Sequence, residues 1–176
     1  MTGKLFLILG NSGAGKDAIM DYAVNNCGNL KKVKRCITRP ASNTEEYTSV
    51  KKENFRHEDY FLSWEAYGKF YGIPFEVLNG LNHGDNYIVN ISREALNEAL
   101  NKWRGAYVIE LTTPIEVLRQ RLNERSRESD EEVRKRLQRA ENAPIIRSDI
   151  QVNTSNPDVS IAGEKTVKFI QKIIKL

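Results

Sequence analysis

Histidine and cysteine are scarce in this chain. Its 176 residues include two of each, His57, His83, Cys27 and Cys36. They form no CxxC pair and no Cys/His set at metal-ligand spacing, which excludes a short-loop zinc site and a thioredoxin-like dithiol. A disulfide-dense secreted scaffold is excluded too, and the thiol usage fits a reducing cytosol, so a cytoplasmic location is expected. All four residues read as structural or surface positions. No apolar run approaches the length of a membrane span, and the run at Lys4–Leu9 is too short for a secretory signal. No repeat, low-complexity tract or Pro/Ser-rich linker divides the chain, so one domain over 1–176 is expected. The net charge of +4 is small. It admits anionic partners without requiring nucleic acid, and no basic–aromatic interleaving of the single-strand-binding kind is present. A small anionic molecule is the expected partner, with no nucleic acid and no membrane; a homodimer is compatible with the composition.

Glycine, by contrast, is concentrated where it matters. The apolar run Leu5-Phe6-Leu7-Ile8-Leu9 feeds Gly10-Asn11-Ser12-Gly13-Ala14-Gly15-Lys16-Asp17, and Ala18 to Val24 reads as helix. This is G-x-x-x-x-G-K in a strand–loop–helix setting, the phosphate-binding loop. Its glycines let the backbone turn tightly, so that its N–H groups converge on one concave space. The helix that follows adds its positive end, and Lys16 a point charge for β- and γ-phosphates. Gly10, Asn11, Ser12, Gly13, Ala14, Gly15, Lys16 and Asp17 are therefore candidate nucleotide-binding residues. Asp17 departs from the pattern, which places Ser or Thr there to reach a magnesium ion. A carboxylate is itself a hard oxygen ligand, so Asp17 is a candidate metal ligand, directly or through water.

Strand and helix signals alternate along the rest of the chain, predicting a parallel sheet with helices on its faces. Strands are expected at 32–37, 86–91, 106–111 and 150–152. Lys51 to His57 reads as a short helix, and 61–64 and 70–71 as aromatic strands about a turn at Gly68. Pro74 falls in the first turn of a helix over 73–78. Ser92 is expected to cap a helix over 93–103, and Pro114 to open one over 115–125. Ser129 and Glu132 form a capping box. Asp158 starts a terminal helix whose Val167, Ile170, Ile173 and Ile174 share a face. The region from about 39 to 84 breaks the βα rhythm and reads as an insertion for a second substrate, leaving 1–38 and 85–176 as the core.

Arginine is dense between Arg119 and Arg139. Most charges on such helices only solvate them, yet a phosphate loop elsewhere needs cationic partners during phosphoryl transfer. Arg121 and Arg125 lie four apart and share a helix face. A second basic site is Arg35-Cys36-Ile37-Thr38-Arg39, where Arg39 can fork onto an acceptor's phosphate. Tyr47 and Tyr71 carry hydroxyls that can assist, although for the tyrosines alone half-buried packing is the better reading.

These residues resemble the guanylate kinases. Gly10 to Lys16, Thr38-Arg39, Tyr71-Gly72-Ile73-Pro74, Arg121-Leu-Asn-Glu-Arg125 and Arg136-Leu137 follow that family's order and spacing over nearly the whole chain. The resemblance implies a nucleoside monophosphate kinase-like α/β fold of the P-loop NTPase class, with an acceptor-binding insertion and a lid at about 125–133. It departs where those kinases read guanine. Arg35 stands for their serine, Ser63 for their glutamate and Ile73 for Ser or Thr. In addition, Ser42 replaces a second phosphate-binding arginine, and Asn90 an aspartate. A site that reads a base by hydrogen bonds loses orders of magnitude of specificity without them.

The chain is more similar to the ribose 1,5-bisphosphate phosphokinases of phosphonate breakdown. They share Gly15-Lys16-Asp17, Ile37-Thr38-Arg39, Leu62-Ser63-Trp64, Tyr71-Gly72, Val89-Asn90-x-Ser92-Arg93 and Leu118-Arg119-Gln120-Arg121-Leu122. That resemblance implies ATP-dependent phosphorylation of ribose 1,5-bisphosphate to 5-phosphoribosyl 1-diphosphate, with Mg2+ as cofactor. It implies Arg121 on the nucleotide, and Lys16, Arg125, Arg127 and Arg136 as catalytic cations. Arg35, Arg39, Tyr47, Tyr71, Asn90 and Arg93 are implied on the acceptor. The rival expectations are a guanylate or related nucleotide kinase and, more distantly, a non-catalytic phosphopeptide-binding module of the same fold.

Overall fold

The computed structural model describes residues 2–41, 46–124 and 130–175. The chain opens with β1 (Leu5–Gly10), five of whose six residues are buried, and turns through the glycine loop into α1 (Lys16–Asn26). β2 (Leu30–Lys32), β3 (Cys36–Ile37) and β4 (Thr48–Ser49) are short. Two single-turn 3-10 segments, Lys52–Asn54 and His57–Asp59, lead into β5 (Tyr60–Ala66) and β6 (Lys69–Pro74). Then come α2 (Phe75–Asn82), β7 (Asn86–Asn90), a 3-10 turn at Arg93–Ala95, α3 (Leu96–Lys102) and β8 (Ala106–Thr112). The chain finishes with α4 (Ile115–Glu124), α5 (Asp130–Glu141), β9 (Ile150–Asn153) and α6 (Val159–Ile174).

Five strands form the main sheet in the order β2-β7-β1-β8-β9, every pair parallel. Because β1 is central, its alternating side chains feed two cores. Phe6 and Ile8 pack with Ile19, Met20, Leu118, Leu122, Leu137 and Ile170, placing α1, α4, α5 and α6 on one face. Leu5, Leu7 and Leu9 face the other way, against Leu62, Trp64, Ile73, Leu81 and Leu96. That second core joins the main sheet to a smaller one, ordered β4-β3-β6-β5. All strand C-termini of the main sheet point one way, so the loop after β1 lies at the end where ligands of open α/β sheets bind.

Several local expectations are corrected. The single strand expected over 32–37 is split between two sheets. Leu30–Lys32 pairs with β7, whereas Cys36–Ile37 pairs with β4 and β6. A local alternating pattern cannot tell which sheet a strand joins. The short helix expected at Lys51–His57 is instead the pair of 3-10 turns. Ser92 makes no cap: its hydroxyl is buried without a hydrogen-bond partner, and the chain enters α3 through a 3-10 turn. Pro74 ends β6 and precedes α2 rather than lying in its first turn. The capping box at Ser129 lies outside the described residues. Asp158 does cap α6, its carboxylate accepting from the Ser160 backbone N–H at 2.9 Å. The Ser160 hydroxyl, and after it that backbone bond, hold the Asp158 carboxyl below the usual carboxylate range.

Candidate active site

The loop Gly10–Lys16 owes its shape to glycine. Gly13 and Gly15 sit at φ of 88° and 83°, a left-handed conformation that L side chains resist. A Cβ on Gly10 would meet the Leu111 carbonyl oxygen at 3.0 Å. The loop thus lies close against β8 and turns directly into α1. Lys16 Nζ donates back to the carbonyl oxygens of Gly10 and Asn11, at 2.8 and 3.0 Å. This holds its ammonium across the loop mouth. Asp17 stands exposed in the first turn of α1, where the helix dipole favours a carboxylate.

Three arginines distant in sequence converge on this loop. Arg121, on α4, donates to the Gly13 carbonyl at 3.4 Å and to Thr154 and Asn156 carbonyls at 2.6 and 3.5 Å. It therefore ties the loop to the turn between β9 and α6. Arg136, on α5, donates to the Ser12 hydroxyl. Arg93, just past the end of β7, donates from Nη1 to Asn11 Oδ1 at 3.1 Å. Arg125 and Arg127 lie outside the described residues, as does Ser42. Asn90 ends β7 with its side chain buried, in register with Ile8 of β1.

A second group of the expected residues gathers on the smaller sheet. The Arg39 guanidinium lies 4.4 Å from the Tyr47 ring centroid, and its Nε donates to the Tyr47 hydroxyl at 3.1 Å. The Tyr47 hydroxyl in turn donates to the Pro40 carbonyl. Arg35 lies over Tyr71, whose ring stacks on Trp64 at 5.3 Å. Facing pairs across β5 and β6 put Leu62, Trp64, Tyr71 and Ile73 on the face toward the core, and Ser63 on the other. Ile73 has no exposed surface, and the Ser63 hydroxyl is engaged by His57 Nδ1 at 2.9 Å. Tyr60 lies on the Ser63 face; burial, with Cys36 as a further cause, pushes its phenol up to about 12, so it stays neutral near pH 7. Ile73 has no hydrogen-bonding side chain, and Ser63 offers a hydroxyl rather than a carboxylate.

The chain is 33% identical to a ribose 1,5-bisphosphate phosphokinase PhnN of Acidiphilium cryptum over 165 residues, covering 92% of this chain and 90% of the relative. It is likewise 33% identical to the protein of that name from Psychromonas ingrahamii, covering 96% and 90%. The chain belongs to the ribose 1,5-bisphosphate phosphokinase family. No family model matches it. Among solved structures, a guanylate kinase from Anaplasma phagocytophilum aligns with a TM-score of 0.65 over 99% of this chain and 85% of that one, at 19% identity. That likeness shows the guanylate kinase-like fold, as expected for a P-loop NTPase. Like its phosphokinase relatives, the chain is an enzyme of the kinase class.

Two further residues, which no sequence motif marks, stand beside Arg93 and Arg121. Glu110 is a buried carboxylate on β8, beside Arg93 at 3.9 Å, and accepts from Gln151 Nε2 at 2.9 Å. Thr154 supplies the carbonyl that holds Arg121. The signal for Glu110 was present: one acidic residue inside the apolar strand Ala106–Leu111. No group of three or more His, Cys, Asp or Glu side chains that could hold a metal occurs among the described residues. No helix among them is long and apolar enough to cross a membrane.

Proposed function

We propose that this protein transfers the γ-phosphoryl group of ATP to the 1-phosphate of ribose 1,5-bisphosphate, giving 5-phosphoribosyl 1-diphosphate and ADP. The observation that carries the reading is the kinship with the phosphokinases over nearly the whole chain. The geometry supports it against a guanylate kinase. Where guanylate kinases read a base, this chain has Arg35 over Tyr71, a Ser63 hydroxyl engaged by His57, and a buried Ile73. Such a site suits an acceptor that offers phosphates and hydroxyls but no base.

The nucleophile is an oxygen of the 1-phosphate, already ionised near neutral pH. It forms a bond to the γ-phosphorus as the bond from that phosphorus to the β–γ bridging oxygen breaks, and the electron pair leaves with ADP. No side chain need remove a proton. The chain's contribution is therefore positioning and charge neutralisation. The loop amides and Lys16 hold the donor's phosphates, Arg121 borders the donor side, and Arg136 and Arg93 flank the loop. Arg39 and Arg35 hold the acceptor's phosphates on the smaller sheet, with Tyr47 and Tyr71 fixing their guanidinium planes; the stretch of about 39–84 is the acceptor-binding insertion. The glycine-built loop fits a triphosphate, and the exposed carboxylate of Asp17, in the first turn of the helix that follows, fits a Mg2+ ion held mostly by phosphates and water. When bound, that ion would offset charge on the β- and γ-phosphates.

The test is to incubate the protein with ATP, Mg2+ and either ribose 1,5-bisphosphate or GMP, following products by phosphorus NMR. A β-phosphorus signal of a new sugar diphosphate is the expected result. Phosphorylation of GMP without turnover of the sugar bisphosphate would overturn the reading.

A further inference from the structure

We infer that Glu110 is a positioning residue for phosphoryl transfer, holding the Arg93 guanidinium against the phosphate-binding loop; the inference rests on the kinase reading above. Glu110 lies one residue from the end of the apolar part of β8, and the strand's alternation turns it to the same face as Val108, the face shared with the smaller sheet. It is 8% exposed. A carboxylate so buried is retained only with partners that satisfy it.

Its partners are arranged in a line that ends at the loop. Gln151 Nε2 and Ser148 Oγ donate to Oε2 at 2.9 and 3.4 Å, which fixes the carboxylate from the β9 side. The other oxygen, Oε1, faces Arg93 Nη2 at 3.9 Å. Arg93 Nη1 then donates to the side chain of Asn11, the residue directly after the first loop glycine, at 3.1 Å. One guanidinium is thus held at two points, by a fixed negative charge on one side and by the loop on the other. Its Nε is buried without a hydrogen-bond partner, so these two contacts set its orientation. Arg93, Glu110, Asn11, Thr112, Thr113 and Gln151 border a cavity of about 220 Å³ beside the loop.

An arginine side chain has many rotamers, and restricting one at the point of charge development removes an entropic cost from the transition state. Glu110 supplies that restriction. It does not touch the reacting atoms; it acts through Arg93.

The decisive experiment compares the wild type with Glu110→Gln, which keeps the shape and an acceptor oxygen for Gln151 while removing the charge. The first readout needs no substrate: the nitrogen-15 order parameter of Arg93 Nε should drop to below about 0.6, the range of flexible groups. An unchanged order parameter would overturn the inference whichever acceptor the enzyme uses, so this result is separable from failure of the proposed reaction. The second readout is a double-mutant cycle with Arg93→Met, assayed with whichever acceptor the wild type phosphorylates. Glu110→Gln should lower kcat on the order of 10- to 100-fold, leave the ATP KM within about twofold, and add almost nothing in the Arg93→Met background. Equal losses in both backgrounds would show a role unconnected to Arg93 and refute it. Should Glu110→Gln fail to fold, Glu110→Asp retains the charge on a shorter stem and should give the same two signatures in milder form.

Discussion

Replacing Ile73 by Thr tests whether the acceptor site lacks a base-reading group by construction or merely by composition. Guanylate kinases have Ser or Thr at this position, so a naive swap would be expected to gain activity on GMP. The structure argues otherwise. Ile73 has no exposed surface and packs with Leu62, Trp64, Val77 and the β1 leucines. Losing one methylene resembles Ile→Val, about 0.5–1.5 kcal/mol. Placing a hydroxyl in that apolar contact adds roughly 1–3 kcal/mol. The sum of about 1.5–4.5 kcal/mol is a large part of a typical domain stability of roughly 5–15 kcal/mol. For a chain of this size it corresponds to a fall in Tm of roughly 3–18 °C. Urea and thermal unfolding measure the loss, and an assay with GMP measures any gain. A variant of unchanged stability that phosphorylates GMP would refute the reasoning, because Ile73 would then line the substrate space instead of the core.

Other outcomes follow from the same geometry. Lys16→Ala should reduce turnover by more than about 100-fold while leaving Tm within a few degrees, since the Gly10 and Asn11 carbonyls that Lys16 meets lie in a partly exposed loop; steady-state assay and thermal unfolding check both halves. Arg39→Ala should raise the acceptor KM about tenfold through loss of a charge-assisted contact, with the ATP KM unchanged; a rise confined to ATP would misplace Arg39. Asp17→Ala should lower the rate and raise the Mg2+ concentration for half-maximal activity together, and an unchanged Mg2+ titration would leave Asp17 as a helix-dipole residue. Tyr67 occupies φ 56° in the two-residue turn Tyr67-Gly68, under the Arg139 guanidinium at 4.6 Å. Tyr67→Asn removes about 1–2 kcal/mol of left-handed strain against an exposed cation–π contact of about 0.5–1 kcal/mol, so a small rise in Tm is expected; a fall would show that the Arg139 contact dominates.

Much of the site is local and could be read without a structure. The apolar run, the glycines at their spacing and Lys16 specify a loop whose function depends on its own backbone, and the structure places it as expected. Thr38-Arg39, Tyr71-Gly72 and the αβ alternation are equally local. The boundaries that failed did so where partners are remote. Lys32 and Cys36, four residues apart, belong to different sheets because β7 takes one and β6 the other. Ser92 looks like a helix cap, yet its hydroxyl is buried and unpartnered where the chain leaves β7.

The arginines show the division between sequence and tertiary structure. Composition alone identified a cationic helical region and two basic residues near a strand end, because charge and spacing are properties of the chain. Which guanidinium meets which oxygen was decided by folding: Arg136 reaches Ser12 and Arg121 reaches Gly13 only because α4 and α5 pack on the same face of the sheet as α1. Glu110 is the clearest case. By its neighbours in sequence it is one polar residue in a buried strand, and only the parallel pairing of β8 with β9 and the return of the chain after β7 set it between Gln151 and Arg93. A side chain's chemistry is carried by the sequence, whereas its orientation and partners arise from contacts between segments that the sequence separates.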